Sequence, residues 1–115
     1  MLPEYLQQVG YQTGFFGKWH MGNDTGDPQP GFNHWESFSG QGEYYNPRLN
    51  VNGEWIRYAD STYVTDLLTT HAIQFIKQQQ ASHKPFMVYL SHKGVHDNFS
   101  PAKRHKGCYS GKPLV

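Results

Sequence analysis

Between Tyr63 and Gln79 the positions Val64, Leu67, Leu68, His71, Ala72, Phe75 and Ile76 recur three and four residues apart, the spacing that gathers side chains on one helical face. Asp60, Ser61 and Thr62 offer capping oxygens in front of this helix, and His83-Lys84-Pro85 stops it. The run Phe86-Met87-Val88-Tyr89-Leu90 has no polar interruption and predicts a strand buried on both faces. Leu2 to Val9 reads as a first helix, with Pro3 in its first turn and Gly10 as its stop. Aromatic and β-branched residues punctuated by glycine, Tyr11 to Gly17, predict a short buried strand. Leu49-Asn50-Val51 and Trp55-Ile56-Arg57 flank Asn52-Gly53, a dipeptide that tolerates positive φ at both central turn positions, so a hairpin is expected there.

The long stretch from Gly22 to Tyr45 is dense in Gly, Asn, Asp, Pro and Ser and predicts a structured loop. Its aromatics, Phe32, Trp35, Phe38, Tyr44 and Tyr45, argue against disorder and suit either a sugar-binding surface, with Gln41 as an amide partner, or packing on the loop's own scaffold. From Asp97 to Val115 the chain is basic, rich in Pro, Gly and Ser, and shows no period. Strands alternating with helices make the class α/β, and 115 residues allow one domain or part of one.

Composition narrows the functions open to the chain. Ten Lys plus Arg against nine Asp plus Glu leave a net charge of +1, so no global field draws it to nucleic acid or a membrane, and any anion binding is local. No apolar run approaches the ~20 residues of a membrane helix, and Met1 to Gly10 lacks the basic-then-apolar order of a signal peptide. A helix that starts at residue 2 suggests an internal piece of a longer chain. The lone Cys108 forms no internal disulfide, and without a placed base or helix N-terminus it reads as an ordinary cysteine.

Candidate chemistry concentrates just beyond the two predicted strands, where open α/β sheets place their ligands. Lys18 and His20 alternate across Trp19, which in extended backbone sets them on one side, about 6 to 7 Å apart at Cα. The pair combines a compact charge for an oxyanion with an imidazole able to move a proton. Past the second strand lie His92, Lys93 and His96. His92 and His96 have the four-residue spacing of a helical metal pair, but Gly94 and the preceding strand argue against a helix. Gly17-Lys18 is no phosphate-binding P-loop, because Gln12 stands where that motif needs Gly and Trp19 where it needs Ser or Thr. His34, His83 and His105 read as surface-turn residues and His71 as part of a half-buried helix face.

The run Gly10-Tyr11-Gln12-Thr13-Gly14-Phe15-Phe16-Gly17-Lys18-Trp19-His20-Met21-Gly22 resembles the second signature of the sulfatases, in which G-Y-x-T leads into G-K-W-H. The resemblance continues through Pro30-Gly31-Phe32 with Trp35, Tyr63-Val64-Thr65-Asp66, and Lys84-Pro85-Phe86 leading to Ser91-His92-Lys93-Gly94-Val95-His96, so it covers nearly the whole chain.

This resemblance implies a partial alkaline-phosphatase-like sandwich, a central mixed sheet flanked by helices, incomplete in this chain. Residues 1–115 would be an internal part of one catalytic domain with no second domain. It implies a sulfuric ester hydrolase acting on an organic sulfate ester, a small molecule or a saccharide, through a formylglycine hydrate, with calcium as the usual metal and an exported or lysosomal location. Lys18 matches the lysine that contacts both sulfate and formylglycine, His20 the histidine that helps regenerate the aldehyde, and His96 the histidine that contacts sulfate and assists the departing alcohol. His92 and Lys93 adjoin that site.

The family's paired aspartates and its C-x-P-S-R or S-x-P-S-R nucleophile motif should precede Gly10, and neither is present. The later metal ligands are not found either, so no metal ligand is assigned, and the expectation is that these 115 residues alone are inactive. Cys108-Tyr109-Ser110-Gly111-Lys112-Pro113 lacks the Pro and Arg positions of the nucleophile motif and lies on the wrong side of Lys18. A noncatalytic module binding sulfated or polyhydroxylated ligands is the alternative.

Overall fold

The computed structural model describes residues 1–22 and 24–113. Five strands form one sheet in the order β4-β3-β2-β1-β5. They are β1 (Gln12–Gly17), β2 (His34–Ser37), β3 (Arg48–Val51), β4 (Glu54–Arg57) and β5 (Phe86–Ser91), with helices α1 (Leu2–Gln8) and α2 (Val64–Ala81). The central strand β1 runs parallel to both neighbours, β2 and β5, while β2, β3 and β4 pair antiparallel, so the sheet is mixed.

Local chemistry accounts for most of these elements. Helix α1 ends in a Schellman arrangement, with Gly10 at φ +89°, its N–H donating to Gln7 O at 3.0 Å and the Tyr11 N–H donating to Leu6 O at 3.0 Å. The expected hairpin is present, and φ values of +52° at Asn52 and +99° at Gly53 are those of a type I′ turn. Asn52 also locks the hairpin to β2, accepting from the Trp35 N–H at 2.8 Å and returning its own N–H to Trp35 O at 2.9 Å.

Alternation along β1 seals both faces of the sheet. Phe16 points into a core with Phe38, Leu49, Val64, Leu68, Ala72 and Phe75, so α2 covers this face with residues three and four apart. Phe15 points the other way and stacks on Trp35 at 4.5 Å between ring centroids, with Trp19 and Phe32 closing the cluster.

Three expectations are corrected. The stretch from Gly22 to Tyr45 is not all loop, because it contains β2, a parallel partner of β1. Its buried positions include Glu36 and Ser37, which masked the strand pattern. Strand β5 is not buried on both faces; it lies at the sheet edge, with Tyr89 47% and Leu90 38% exposed. No side chain of residues 60–62 caps α2; its N-cap is Tyr63, and the Val64 N–H is met by Tyr44 O at 2.9 Å.

Glu36 is tolerated inside because two histidines hold it. His34 Nε2 lies 2.8 Å from Oε1 and His71 Nδ1 2.8 Å from Oε2, which ties β2 to α2. His34 is therefore a strand residue bonded to a buried carboxylate and not a surface turn, whereas His71 lies on the half-buried helix face as expected. Burial alone would raise the Glu36 pKa, but the hydrogen bonds from His34 and His71 outweigh it and hold the carboxyl below its ordinary value. The bond to Glu36 raises His71, against the effect of its burial.

Two outcomes follow from this packing. A Cβ on Gly17, at φ +118°, would sit 1.8 Å from Ser91 O, so Gly17→Ala should cost about 3 kcal/mol in urea unfolding. Gly10→Ala, which meets nothing within 4 Å, should cost about 1 kcal/mol. The Glu36 contribution is present above its unfolded pKa and lost as pH falls through its lowered folded value; the His71 contribution is full below the ordinary 6.5 and lost as pH rises through its raised folded value. Unfolding free energy measured against pH should therefore fall above about 6.5, and His71→Phe should flatten that limb. Tyr58, whose ring centroid is 6.2 Å from that of His71, has its pKa raised by burial and by Glu36 and stays protonated over this range.

Candidate functional site

The parallel pairing of β1 with β5 ends at Gly17 opposite Ser91, and the Lys18 N–H extends the ladder one step by donating to Ser91 O at 2.8 Å. The residues that follow each strand, Lys18 and His92-Lys93, thus leave the sheet from adjacent carboxyl ends. Lys93 is buried, 6% exposed, and lies against Tyr44 with Nζ 4.7 Å from the ring centroid. Its ammonium donates to the backbone oxygen of Gln41 at 2.9 Å, while the Lys18 ammonium donates to the side-chain oxygen of the same Gln41.

Two cations therefore converge on one glutamine. Burial, then the nearby Lys18 charge, hold Lys93 below the ordinary lysine value against the opposing pull of Asp97. Each ammonium has three donors and spends one on Gln41, so both retain capacity for an oxyanion, which would also relieve their mutual repulsion. Burial lowers the pKa of His92, and its Nδ1 has no hydrogen-bond partner among the described residues. This neutral imidazole adjoins Lys93 in sequence.

The other predicted residues are placed more loosely. Trp19 is buried in the Phe15 cluster with its Nε1–H donating to Met21 O at 3.0 Å, and His20 beside it is exposed. His96 is exposed, and the Tyr44 hydroxyl anchors its backbone oxygen at 2.7 Å. Among the described residues neither imidazole is hydrogen-bonded to Lys18 or Lys93. Tyr44 thus supports Lys93 with its ring and His96 with its hydroxyl. Tyr45 and Tyr63 donate to Pro101 O at 2.8 Å and Ser100 O at 3.2 Å, which fastens the same segment.

Of the loop aromatics, Trp35, Phe38 and Tyr44 are buried, so they serve the scaffold rather than an open sugar platform. Sequence reasoning singled out Gln41 as an amide facing a sugar and did not foresee that it joins the two lysines; no local pattern signals a contact across 52 residues. Among the described residues no group of three or more His, Cys, Asp or Glu could hold a metal ion. Cys108 is exposed, and its thiol donates to Arg104 O at 3.5 Å.

The Sulfatase family model matches residues 1–113. The chain belongs to the sulfatase family. An N-acetylglucosamine-6-O-sulfatase of Bacteroides thetaiotaomicron is 40% identical over 111 residues, which cover 94% of this chain and 19% of that protein. An extracellular sulfatase SULF-1 homolog of Drosophila melanogaster is 31% identical over 97 residues, covering 80% of this chain and 9% of its own length. A solved structure in complex with its substrate, D-glucosamine-2-N,6-O-disulfate, superposes with a TM-score of 0.85 at 38% identity, over 100% of this chain and 22% of that one. A second, in complex with k-i-k-neocarrahexaose, has a TM-score of 0.82 over 98% of this chain and 30% of its own at 21% identity, and agrees in fold. The sulfatase chain is thus a partial alkaline-phosphatase-like α/β sheet, spanning about a fifth of the Bacteroides relative and of the first solved structure.

The lysine pair makes a direct test possible. Lys18→Met in this sulfatase chain should raise the titration midpoint of Lys93, followed by NMR of the lysine side-chain carbons, because one lowering influence is removed. An unchanged midpoint would show that the two ammoniums do not sense each other.

Proposed function

We propose that the chain is the sulfate-gripping part of a sulfuric ester hydrolase, an internal part of a single catalytic domain. The observation that carries this reading is the pairing of Lys18 and Lys93 on Gln41 at the ends of two parallel strands. In it Lys18 and Lys93 bind the ester's sulfate oxygens, and His92, next to Lys93 in the chain, belongs to the substrate-binding set. Lys18, His20 and His96 take the catalytic roles their family counterparts suggest. Lys18 holds sulfate and nucleophile together, His20 removes a proton when the aldehyde is regenerated, and His96 passes a proton to the departing alcohol. The exposure of His20 and His96 leaves both imidazoles open to a ligand.

The substrate class is a saccharide sulfate ester. Support comes from the names of the relatives, an N-acetylglucosamine-6-O-sulfatase and an N-acetylgalactosamine-6-sulfatase among them. The whole protein would draw its formylglycine nucleophile and its calcium ligands from outside these 115 residues and would work in an exported setting, as the extracellular relatives do by name. The chain itself would act on no nucleic acid and no membrane.

Two measurements test the reading. Glucosamine 6-sulfate should bind the chain in calorimetry where unsulfated glucosamine does not, and Lys18→Met or Lys93→Met should weaken that binding about tenfold, the loss of one charge-assisted contact. The same chain should hydrolyse no aryl sulfate; turnover would contradict the assignment of the nucleophile to another part of the protein. An Asp-Asp pair and a C-x-P-S-R or S-x-P-S-R motif encoded upstream of Met1 would separate the hydrolase from a noncatalytic binding module.

A further inference from the structure

Strands β3 and β4 bring two arginines directly opposite each other, Arg48 paired with Arg57. Like charges at a cross-strand pair oppose sheet formation, so stability alone does not explain them. Each is managed differently. Arg57 donates to the Glu43 carboxylate and, at 2.9 Å, to Asn46 O. The Arg48 side chain has no hydrogen bond or ion pair among the described residues; its guanidinium carbon lies 4.9 Å from the centroid of the Trp55 ring. A guanidinium laid against an indole keeps its N–H fork free for a two-point contact with an oxyanion.

Arg48, Trp55 and Arg57 line an open cavity of about 560 Å³ together with Phe38, Ser39, Gly42 and Glu43. That volume is in the range of a sugar-binding pocket. Its position gives it meaning, since Ser39 and Gly42 bracket Gln41, the residue that joins Lys18 to Lys93. One short loop thus has the lysine pair at Gln41 and the arginine cavity at its flanks. With two arginines and one glutamate in its wall, the cavity carries one net positive charge.

We propose that this cavity is a second sugar subsite. It takes a saccharide unit bearing an anionic group, sulfate or carboxylate, next to the unit whose ester the lysine pair holds. Arg48 is the anion's partner, Trp55 fixes Arg48, and Arg57 is held back by Glu43. The inference rests on the proposed saccharide sulfate function and extends it from a single sugar to a chain of at least two, with charge on both.

The test is calorimetry on the 115-residue chain with four ligands: glucosamine 6-sulfate, a disaccharide joining that sugar to a neutral hexose, and two disaccharides joining it to a uronate or to a second sulfated sugar. At least one charged disaccharide should bind about tenfold or more tightly than the neutral one, and Arg48→Gln should remove that gain. Whichever of the two charged ligands shows it identifies the anion as carboxylate or sulfate. Equal affinity of neutral and charged disaccharides overturns the subsite on the unmodified chain alone, whatever the variant does. A gain that survives in Arg48→Gln overturns it too. Failure of the monosaccharide to bind counts against the Lys18–Lys93 reading, while a gain from neutral to charged disaccharide would still support the arginine subsite. If none of the four binds, both fall.

Discussion

The absence of a side chain at Gly17 is the constraint on which the site depends. Ser91 O approaches so closely that a Cβ would lie 1.8 Å from it, and the same oxygen accepts the Lys18 N–H at 2.8 Å. One carbonyl therefore sets both the spacing of β1 against β5 and the exit of Lys18 from the sheet. Phe15 and Phe16, just before, seal the two faces, so the strand that delivers Lys18 is held from both sides. A lysine on a mobile loop could reach an anion, but it would have to be ordered on binding; here the strand ladder already fixes the Lys18 backbone.

Three stretches of chain far apart in sequence complete the arrangement: the end of β1, the segment after β5, and the loop after β2 that carries Gln41 and Tyr44. Their junction is polar as well as crowded. Tyr44 lies beneath the Lys93 ammonium and donates to His96 O, while Gln41 accepts from both lysines. Burial first, and then the nearby Lys18 charge, hold the Lys93 pKa down, so an anion beside the two ammoniums would be favoured. Next to the Gln41 loop Arg48 and Arg57 face each other across β3 and β4, with Arg57 bonded to Glu43 and the Arg48 guanidinium against Trp55.

Elements governed by local rules were legible in the sequence. The Gly10 stop, the Asn52-Gly53 turn and the three-and-four spacing of α2 each depend on residues within a few positions of one another, and each appears where expected. Strand β2 escaped because Glu36 and Ser37 are polar yet buried; only the histidines from β2 and α2 make Glu36 tolerable, and that pairing spans 35 residues at His71. The apolar run of β5 was legible as a strand, but not its exposure, since composition does not reveal what lies on either side. In the site, Lys18 and Lys93 could be chosen from their positions past strand ends. Their shared partner Gln41 and the supporting Tyr44 could not be assigned those roles, because both act through tertiary contacts.

The most direct test of the central claim, that an oxyanion is held between Lys18 and Lys93, is chemical-shift mapping of the labelled chain during titration with glucosamine 6-sulfate. The account predicts saturable shifts centred on the amides of Lys18, Gln41 and Lys93 and on the side-chain signals of the two lysines. Shifts that leave these residues unmoved and gather elsewhere, for example around His34 and His71, would contradict it.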